Sequence, residues 1–175
     1  MTPLDQIEPM DMDGLTKDFE SGYTDIDEDT SNKIKFQLNN CSNSNIDEKA
    51  AEFRKILKDE RLIQFFGKHI VYRRVPTENN FHTLFIQLAT KINKRELFQI
   101  MIKDSFLILN QMIDNDRYNN YIASQPENKK SKVEINKSNM KNLAVWVGLI
   151  TLARNKPITI RDIDLKGILL EAYEN

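Results

Sequence analysis

The sequence predicts an all-α fold made of stacked antiparallel helical hairpins. Apolar residues recur at spacings of three and four along most of the chain, the pattern of amphipathic helices. Alternating apolar and polar runs bounded by Asn-Gly or Asp-Gly turns, which would predict strands, do not occur in the sequence. The stretch from Asn142 to Tyr173 indicates two helices joined by a short loop. Its first helix is apolar nearly all round, so we expect it to lie between other helices.

The first 30 residues differ from the rest in charge. They carry ten Asp or Glu and one Lys, a net charge of −9, whereas the whole chain of 175 residues has a net charge of −1. A segment this acidic and poor in apolar residues cannot bury enough surface to offset its ordering entropy. We predict a disordered acidic leader over 1–30, either a solvated linker or an interaction tail that folds back on the basic body.

Residues 31–175 are predicted to form one helical-repeat domain of three to four hairpins, HEAT-like in its stacking. Four of its helices are predicted from apolar spacing at 46–57, 62–71, 81–92 and 97–113. Residues 114–137 are rich in Asn, Lys and Ser with little periodicity, and we predict a flexible loop there. Its cluster Lys129, Lys130 and Lys132 is expected to be solvated.

Specific structural roles are predicted near the end of the chain. Pro157 should end the apolar helix, because proline cannot continue one. Thr159 and Asp162 have the spacing of a capping box, so a second helix should start at Thr159. Trp146 should pack in the core with one acceptor for its indole N–H. Gly148 should permit a close approach between two helices, since glycine otherwise costs about 1 kcal/mol inside a helix.

The composition argues against several classes of protein. No apolar run reaches the ~20 residues that span a bilayer, and the N-terminus lacks the features of a signal peptide. Cys41 is the only cysteine, which excludes an internal disulfide and fits a reducing compartment. No pair of His or Cys residues has metal-ligand spacing, and no phosphate-binding glycine loop or nucleophile elbow occurs. We therefore expect a cytoplasmic protein, with the nucleus as a second location, that is not an enzyme and carries no cofactor.

Two long motifs resemble one protein family. The first is the run from Trp146 to Ile158 followed by Asp162, Asp164 and the segment 169–173, and the second is YRRVPTENNFHTLF over 72–85. A weaker match covers Lys33 to Asn45, a helix ending in Asn-Asn. The chain resembles the middle, MIF-four-G-like domain of the scaffold subunit (NOT-one) of the CCR-four–NOT mRNA deadenylase complex. The family's chain continues after the match to Tyr173, so the resemblance indicates a partial, truncated domain.

The resemblance implies a non-catalytic scaffold. Its expected partners are the DEDD-type deadenylase nuclease, a DEAD-box decay helicase and other subunits of the complex, with RNA reached only indirectly and no membrane. The expected outcome is poly(A) shortening, mRNA decay and translational repression. Two alternatives remain open: an RNA-binding middle domain of the translation-initiation scaffold type, and a truncated paralogue that competes with the full scaffold.

The motif over 72–85 is the best candidate for a partner-binding surface. Two arginines that end a helix interact favourably with its dipole, but they are also typical of interface hot spots. Beside them lie side chains with fixed donors and acceptors. The candidate residues are Tyr72, Arg73, Arg74, Glu78, Asn80 and His82.

Overall fold

The computed structural model describes residues 26–123 and 130–174, and the side chains of 26–113 and 137–170. Most of the predicted acidic leader, residues 1–25, lies outside the described residues. The regular structure in the described part of the chain is helical, and no strand occurs there. The helices are α1 (Glu28–Asn39), α2 (Ile46–Ile56), α3 (Glu60–Lys68), α4 (His82–Ile92), α5 (Arg95–Ala123), α6 (Lys130–Ile150) and α7 (Leu165–Glu174), with a π-helical turn at His69–Arg74 and 3-10 turns at Asn79–Phe81 and Leu152–Arg154.

The helices stack in two layers. Helices α2, α4 and α6 pack side by side in one layer, α3 packs on α5 in the other, and α5 also packs on α6. Helices α4 and α6 run in the same direction, because His82 contacts Trp146 near one end and Thr90 accepts a hydrogen bond from Arg154 at the other. This stacking of alternate helices confirms the predicted all-α, solenoid-like fold.

One continuous apolar core joins the layers. The Phe53 and Phe66 rings lie 4.6 Å apart between α2 and α3, and the Trp146 side chain is completely buried between α4, α5 and α6. Helices α1 and α3 begin at aspartate caps, where Asp27 accepts from Thr30 N at 2.8 Å and Asp59 accepts from Leu62 N at 3.0 Å. Helix α1 begins at Glu28, so the last three residues assigned to the leader belong to the folded body.

The predicted flexible loop over 114–137 is wrong for most of its length. Helix α5 continues to Ala123 and α6 begins at Lys130, while residues 124–129 lie outside the described residues. The prediction depended on the loss of apolar periodicity. A helix that is already nucleated needs no apolar face to add further turns, because each added residue forms one more backbone hydrogen bond.

Glycine permits a close helix approach at a different position from the one predicted. A Cβ at Gly148 would meet no atom within 4 Å, so that glycine makes no close contact. A Cβ at Gly67 in α3 would lie 3.0 Å from Ile100 Cγ2 and 3.2 Å from Leu97 Cδ1 of α5. The close approach is therefore between α3 and α5.

The predicted start of the last helix at Thr159 is also wrong. Asp162 Oδ2 accepts from both Thr159 N and Thr159 Oγ1 at 2.8 Å, but these bonds close one isolated turn. The helix begins at Leu165, where Asp164 Oδ1 accepts from Gly167 N at 2.9 Å. Both aspartates satisfy the local cap pattern, and tertiary contacts decide between them: Asn110 of α5 donates to the Asp162 carbonyl oxygen at 3.0 Å.

Helix α6 ends before it reaches Pro157, the residue that was predicted to stop it. Its last residue is Ile150, and a 3-10 turn with Asn155 in the left-handed conformation precedes the proline. The following helix α7 exposes apolar side chains, with Leu169 70% and Leu165 51% exposed. None of the described helices combines the length and apolar character that crossing a membrane requires.

Candidate partner-binding surface

A π-helical turn places the candidate residues. Helix α3 continues into His69–Arg74, where the Val75 N–H donates to the Ile70 carbonyl oxygen at 2.9 Å, five residues earlier. The wider turn inserts one residue into the helix and rotates the side chains that follow, a feature often found at functional sites. Pro76 then prevents continuation, and the Glu78 N–H closes the next turn on the Arg74 carbonyl oxygen at 2.8 Å.

Arg74 is the centre of this region. Its Nε lies 2.7 Å from Glu78 Oε1, and its Nη1 donates to Asn39 Oδ1 at the end of α1. The guanidinium also lies 5.7 Å from the ring centroid of Phe85 in α4. With only 18% of its side chain exposed, Arg74 connects α1, the π-turn and α4. It orders this edge of the stack, because a guanidinium has fixed donor directions and stacks on aromatic rings.

Exposed side chains surround this arginine. Asn79, Asn80 and Phe81 form the 3-10 turn before α4, and the Phe81 ring lies 6.2 Å from the Phe85 ring. On α1, Phe36 lies one turn before Asn39 and is 63% exposed. We name this region the Arg74 surface; it comprises Phe36, Asn39, Arg74, Glu78, Asn79, Asn80 and Phe81.

Tyr72 and Arg73 lie beside the Arg74 surface and are both half-buried. Tyr72 packs against the apolar core, so its ring contributes to stability. The Arg73 carbonyl oxygen accepts from Thr77 Oγ1 at 3.2 Å, which fixes the turn that follows. Of the six predicted residues, the Arg74 surface therefore contains Arg74, Glu78 and Asn80.

His82 does not belong to the surface either. It is 1% exposed, its Nε2 lies 2.8 Å from the Val75 carbonyl oxygen, and its ring meets the Trp146 ring edge-on at 5.4 Å. Burial lowers the pKa of His82, so the neutral imidazole is favoured with Nε2–H as donor. Its place at the start of α4 made it look accessible, but the packing of α6 covers it.

A chain of buried hydrogen bonds supports the surface from below. Trp146 Nε1 donates to Ser105 Oγ at 2.8 Å, and Ser105 Oγ donates to the Met101 carbonyl oxygen. Asn142 of α6 donates to the Pro76 carbonyl oxygen at 2.8 Å, directly behind the π-turn. The bond between Trp146 and Ser105 joins α6 to α5, and the bond from Asn142 joins α6 to the segment that presents Arg74.

The groups that this surface exposes are suited to binding another molecule. The surface offers amide groups, an ion pair and two aromatic rings, which suit a protein partner. In the described part of the chain, no group of three or more His, Cys, Asp or Glu residues could hold a metal ion. The other histidine, His69, is buried against Phe65, and burial lowers its pKa to about 4.

Asn79 and Phe81 lie within the predicted motif over 72–85 but were not among the predicted site residues. Two further members of the surface, Phe36 and Asn39, were not predicted either. They lie more than 30 residues before the Arg-Arg motif, and only the stacking of α1 brings them close. The signal that could have found them was the weaker resemblance over Lys33 to Asn45, which covers both residues.

Comparison with known proteins identifies related chains. Residues 22–175 match the family model described as the CCR4-NOT transcription complex subunit 1 CAF1-binding domain. The chain is 35% identical over 143 residues to CCR4-NOT transcription complex subunit let-711 of Caenorhabditis elegans, covering 81% of this chain and 5% of that protein. Two yeast proteins, each named general negative regulator of transcription subunit 1, are also similar. The protein of Schizosaccharomyces pombe is 30% identical, and the match covers 86% of this chain and 7% of that protein. The protein of Saccharomyces cerevisiae is 31% identical, and the match covers 83% of this chain and 6% of that protein.

The chain therefore spans only a small part, 5% to 7%, of the relatives that it matches. The match to the family model, in contrast, extends over most of this chain, including every described helix. The chain belongs to the family of CAF1-binding domains of CCR4-NOT transcription complex subunit 1.

Proposed function

We propose that the chain is a non-catalytic docking module that binds a CAF1-type deadenylase nuclease and joins it to the CCR4-NOT complex. The observation that carries the proposal is the family match over residues 22–175, because the family is described by its binding of CAF1. A rigid stack of helices suits this role, since it holds a binding surface in place at little entropic cost. Tethering raises the effective concentration of a nuclease near its substrate without any new bond-making chemistry.

The Arg74 surface is the proposed docking site. Its aromatic residues Phe36 and Phe81 are exposed, yet the backbone beneath them is fixed by the bonds of Arg74 to Asn39 and Glu78. Exposed aromatic side chains around an ordered arginine are the composition of interface hot spots. The preorganised arginine lowers the entropy that a partner would lose on binding.

The finer parts of the proposal follow from the resemblance. The chain would be the middle, MIF-four-G-like domain of the scaffold, with HEAT-like hairpins. A DEAD-box helicase would be a second partner, and the assembled complex would shorten poly(A) tails, promote mRNA decay and repress translation in the cytoplasm and in the nucleus. In the docking role RNA is brought to the complex through the partners, and this role needs no direct contact between the chain and RNA.

Co-purification of the full chain with the CAF1-type nuclease on a sizing column tests the docking role. The variant Phe81→Ala removes an exposed ring, and Leu107→Ala on α5 is its matched control, because both side chains are 47% exposed. We expect a one-to-one complex, an affinity loss of about tenfold or more for Phe81→Ala, as for a hot-spot residue, and little change for Leu107→Ala.

Two results would contradict the proposal in different ways. A folded, monodisperse chain that does not bind the nuclease would reject the docking function. Binding that is unchanged by Phe81→Ala, or weakened equally by both variants, would retain the function but reject the Arg74 surface as its site. Far-ultraviolet circular dichroism of each variant shows whether the helices are intact.

A further inference from the structure

The stack gathers basic residues along one edge. The segments 54–58, 91–95 and 154–156 together contain eight Lys or Arg residues and no Asp or Glu. They follow or overlap the ends of α2, α4 and the 3-10 turn after α6. In the sequence these segments are far apart, and the fold brings them together.

Hydrogen bonds between the segments show that they are neighbours. Arg54 Nη1 donates to the Lys91 carbonyl oxygen at 2.5 Å, and Arg154 Nη1 donates to Thr90 Oγ1 at 3.1 Å. The ends of α2 and α6 therefore both lie against the end of α4. Because packed helices are 8–10 Å apart, the three ends form a row of about 20 Å. We name this row the basic edge; its cationic residues are Arg54, Lys55, Lys58, Lys91, Lys94, Arg95, Arg154 and Lys156.

Helix dipoles explain only part of this charge. Cations in a last helical turn are stabilised by the dipole, which accounts for Arg54, Lys55 and Lys91. Lys58 and Lys156 lie beyond the last turn and are exposed, and exposed Arg95 begins α5, where a cation is unfavourable. The helix dipole therefore does not account for these three charges.

The backbone repeats the same turn at two places on this edge. Asn93 and Asn155, with φ of 58° and 57°, are the two non-glycine residues of positive φ in the described part of the chain. Each is followed by a lysine, Lys94 or Lys156. Asparagine tolerates this conformation and can end a helix. The repetition places one lysine after each of two adjacent helical segments in an equivalent position.

Arg154 is held in place by an aromatic ring. Its guanidinium lies 4.5 Å from the centroid of the Phe98 ring, and the residue is exposed. A guanidinium stacked on a ring loses less entropy when its remaining donors bind a phosphate. Three acidic residues also lie near the edge. Asp59 caps α3, exposed Glu96 follows Arg95, and Asp47 in the first turn of α2 accepts from Lys91 Nζ at 2.6 Å, which partly neutralises Lys91.

We propose that the basic edge binds the phosphate backbone of single-stranded RNA directly. A row of cations spaced at the distance of packed helices neutralises successive phosphates, while the lack of an exposed aromatic side chain among its residues gives no means of reading bases. Binding at this edge is therefore tolerant of sequence and strongly dependent on salt. It goes beyond the proposed docking function, in which RNA is reached only through partners.

Fluorescence anisotropy with a labelled oligouridine of about 15 nucleotides tests the full chain at stepped salt concentrations. The edge variant carries Lys58→Glu, Arg95→Glu and Lys156→Glu. Its control carries Lys33→Glu, Lys103→Glu and Lys141→Glu, three exposed lysines on α1, α5 and α6. Both variants change the net charge equally, so the comparison separates the position of the charge from its amount.

We expect the edge variant to lose about tenfold or more in affinity and to reduce the slope of log K against log salt by about 2, as for three lost phosphate contacts. The control should lose much less. Equal losses in both variants, or no binding by the unmodified chain at low salt, would overturn the proposal. A labelled peptide of residues 1–25 serves as an acidic protein probe, and tighter binding of that peptide than of RNA at the same salt would also overturn it.

Discussion

Replacement of two glycines by alanine separates helix propensity from steric crowding. Gly67 and Gly148 both lie within helices, in α3 and α6. Alanine is more favourable than glycine inside a helix by about 1 kcal/mol, and this gain is common to both sites. The sites differ in what the new methyl group meets, which is open space at Gly148 and the side chains of Ile100 and Leu97 at Gly67.

The magnitude of the difference follows from these contacts. Distances of 3.0 and 3.2 Å require Ile100 or Leu97 to move, but Leu97 is completely buried and Ile100 is branched at Cβ and stiff. Overpacking of this kind costs about 1–3 kcal/mol. We therefore expect Gly148→Ala to stabilise the fold by about 1 kcal/mol and Gly67→Ala to be less stable than Gly148→Ala by about 1–3 kcal/mol.

Urea unfolding followed by far-ultraviolet circular dichroism measures both changes. In a thermal scan, each kcal/mol corresponds to roughly 2–4 °C for a domain of this size. Equal stabilisation by the two substitutions would refute the close approach of α3 and α5. Destabilisation by Gly148→Ala would refute the open environment around α6.

Three further predictions test the buried polar groups and the last helix. Ser105→Ala removes the acceptor of the Trp146 indole N–H and should cost about 1–3 kcal/mol; strictly additive free energies in a cycle with Trp146→Phe would contradict this. Because burial, with smaller effects from nearby cations, lowers the pKa of His69 from 6.5 to about 4, the unfolded chain takes up a proton first as pH falls. The free energy of unfolding should be highest above pH 6.5 and fall by up to about 3 kcal/mol towards pH 4. The substitution His69→Gln should make this fall smaller; if urea midpoints depend on pH in the same way in both proteins, His69 is not its cause. Asp164→Ala should destabilise α7 by about 1 kcal/mol and speed its amide exchange, whereas Thr159→Ala should not; equal acceleration would show that both residues cap the helix.

The sequence predicted those helices whose apolar spacing is set by the core. The predicted helices at 46–57 and 81–92 differ by one residue at one end from Ile46–Ile56 and His82–Ile92. Their buried faces repeat with the helical period, so local pattern and tertiary packing agree. The segments 114–123 and 130–137 carry no such pattern, and helix propensity alone could not distinguish a helix from a loop there.

The candidate site was predictable only where it is contiguous in the chain. The Arg-Arg motif and the Asn-Asn-Phe turn were visible as a unit, but the π-helical turn that orients Arg74 was not, because the apolar spacing continues through it. Whether a histidine at a helix start is exposed depends on the neighbouring helix, which is why His82 was misplaced. The association of Phe36 with Arg74, and the gathering of Lys58 with Lys156, depend on stacking between distant segments.

The burial of Trp146 has a practical consequence for all of these measurements. It is the only tryptophan of the chain, so its fluorescence is an intrinsic signal from one known place. The indole lies between α4, α5 and α6, hydrogen-bonded to Ser105 and in edge contact with His82. The emission of the indole should shift to longer wavelength when these helices separate. Because the indole is remote from solvent, a partner or RNA bound at the surface should change its emission little. In one sample, the fluorescence of an external label can therefore measure the binding of a partner or RNA, while the indole fluorescence shows whether the stack remains folded.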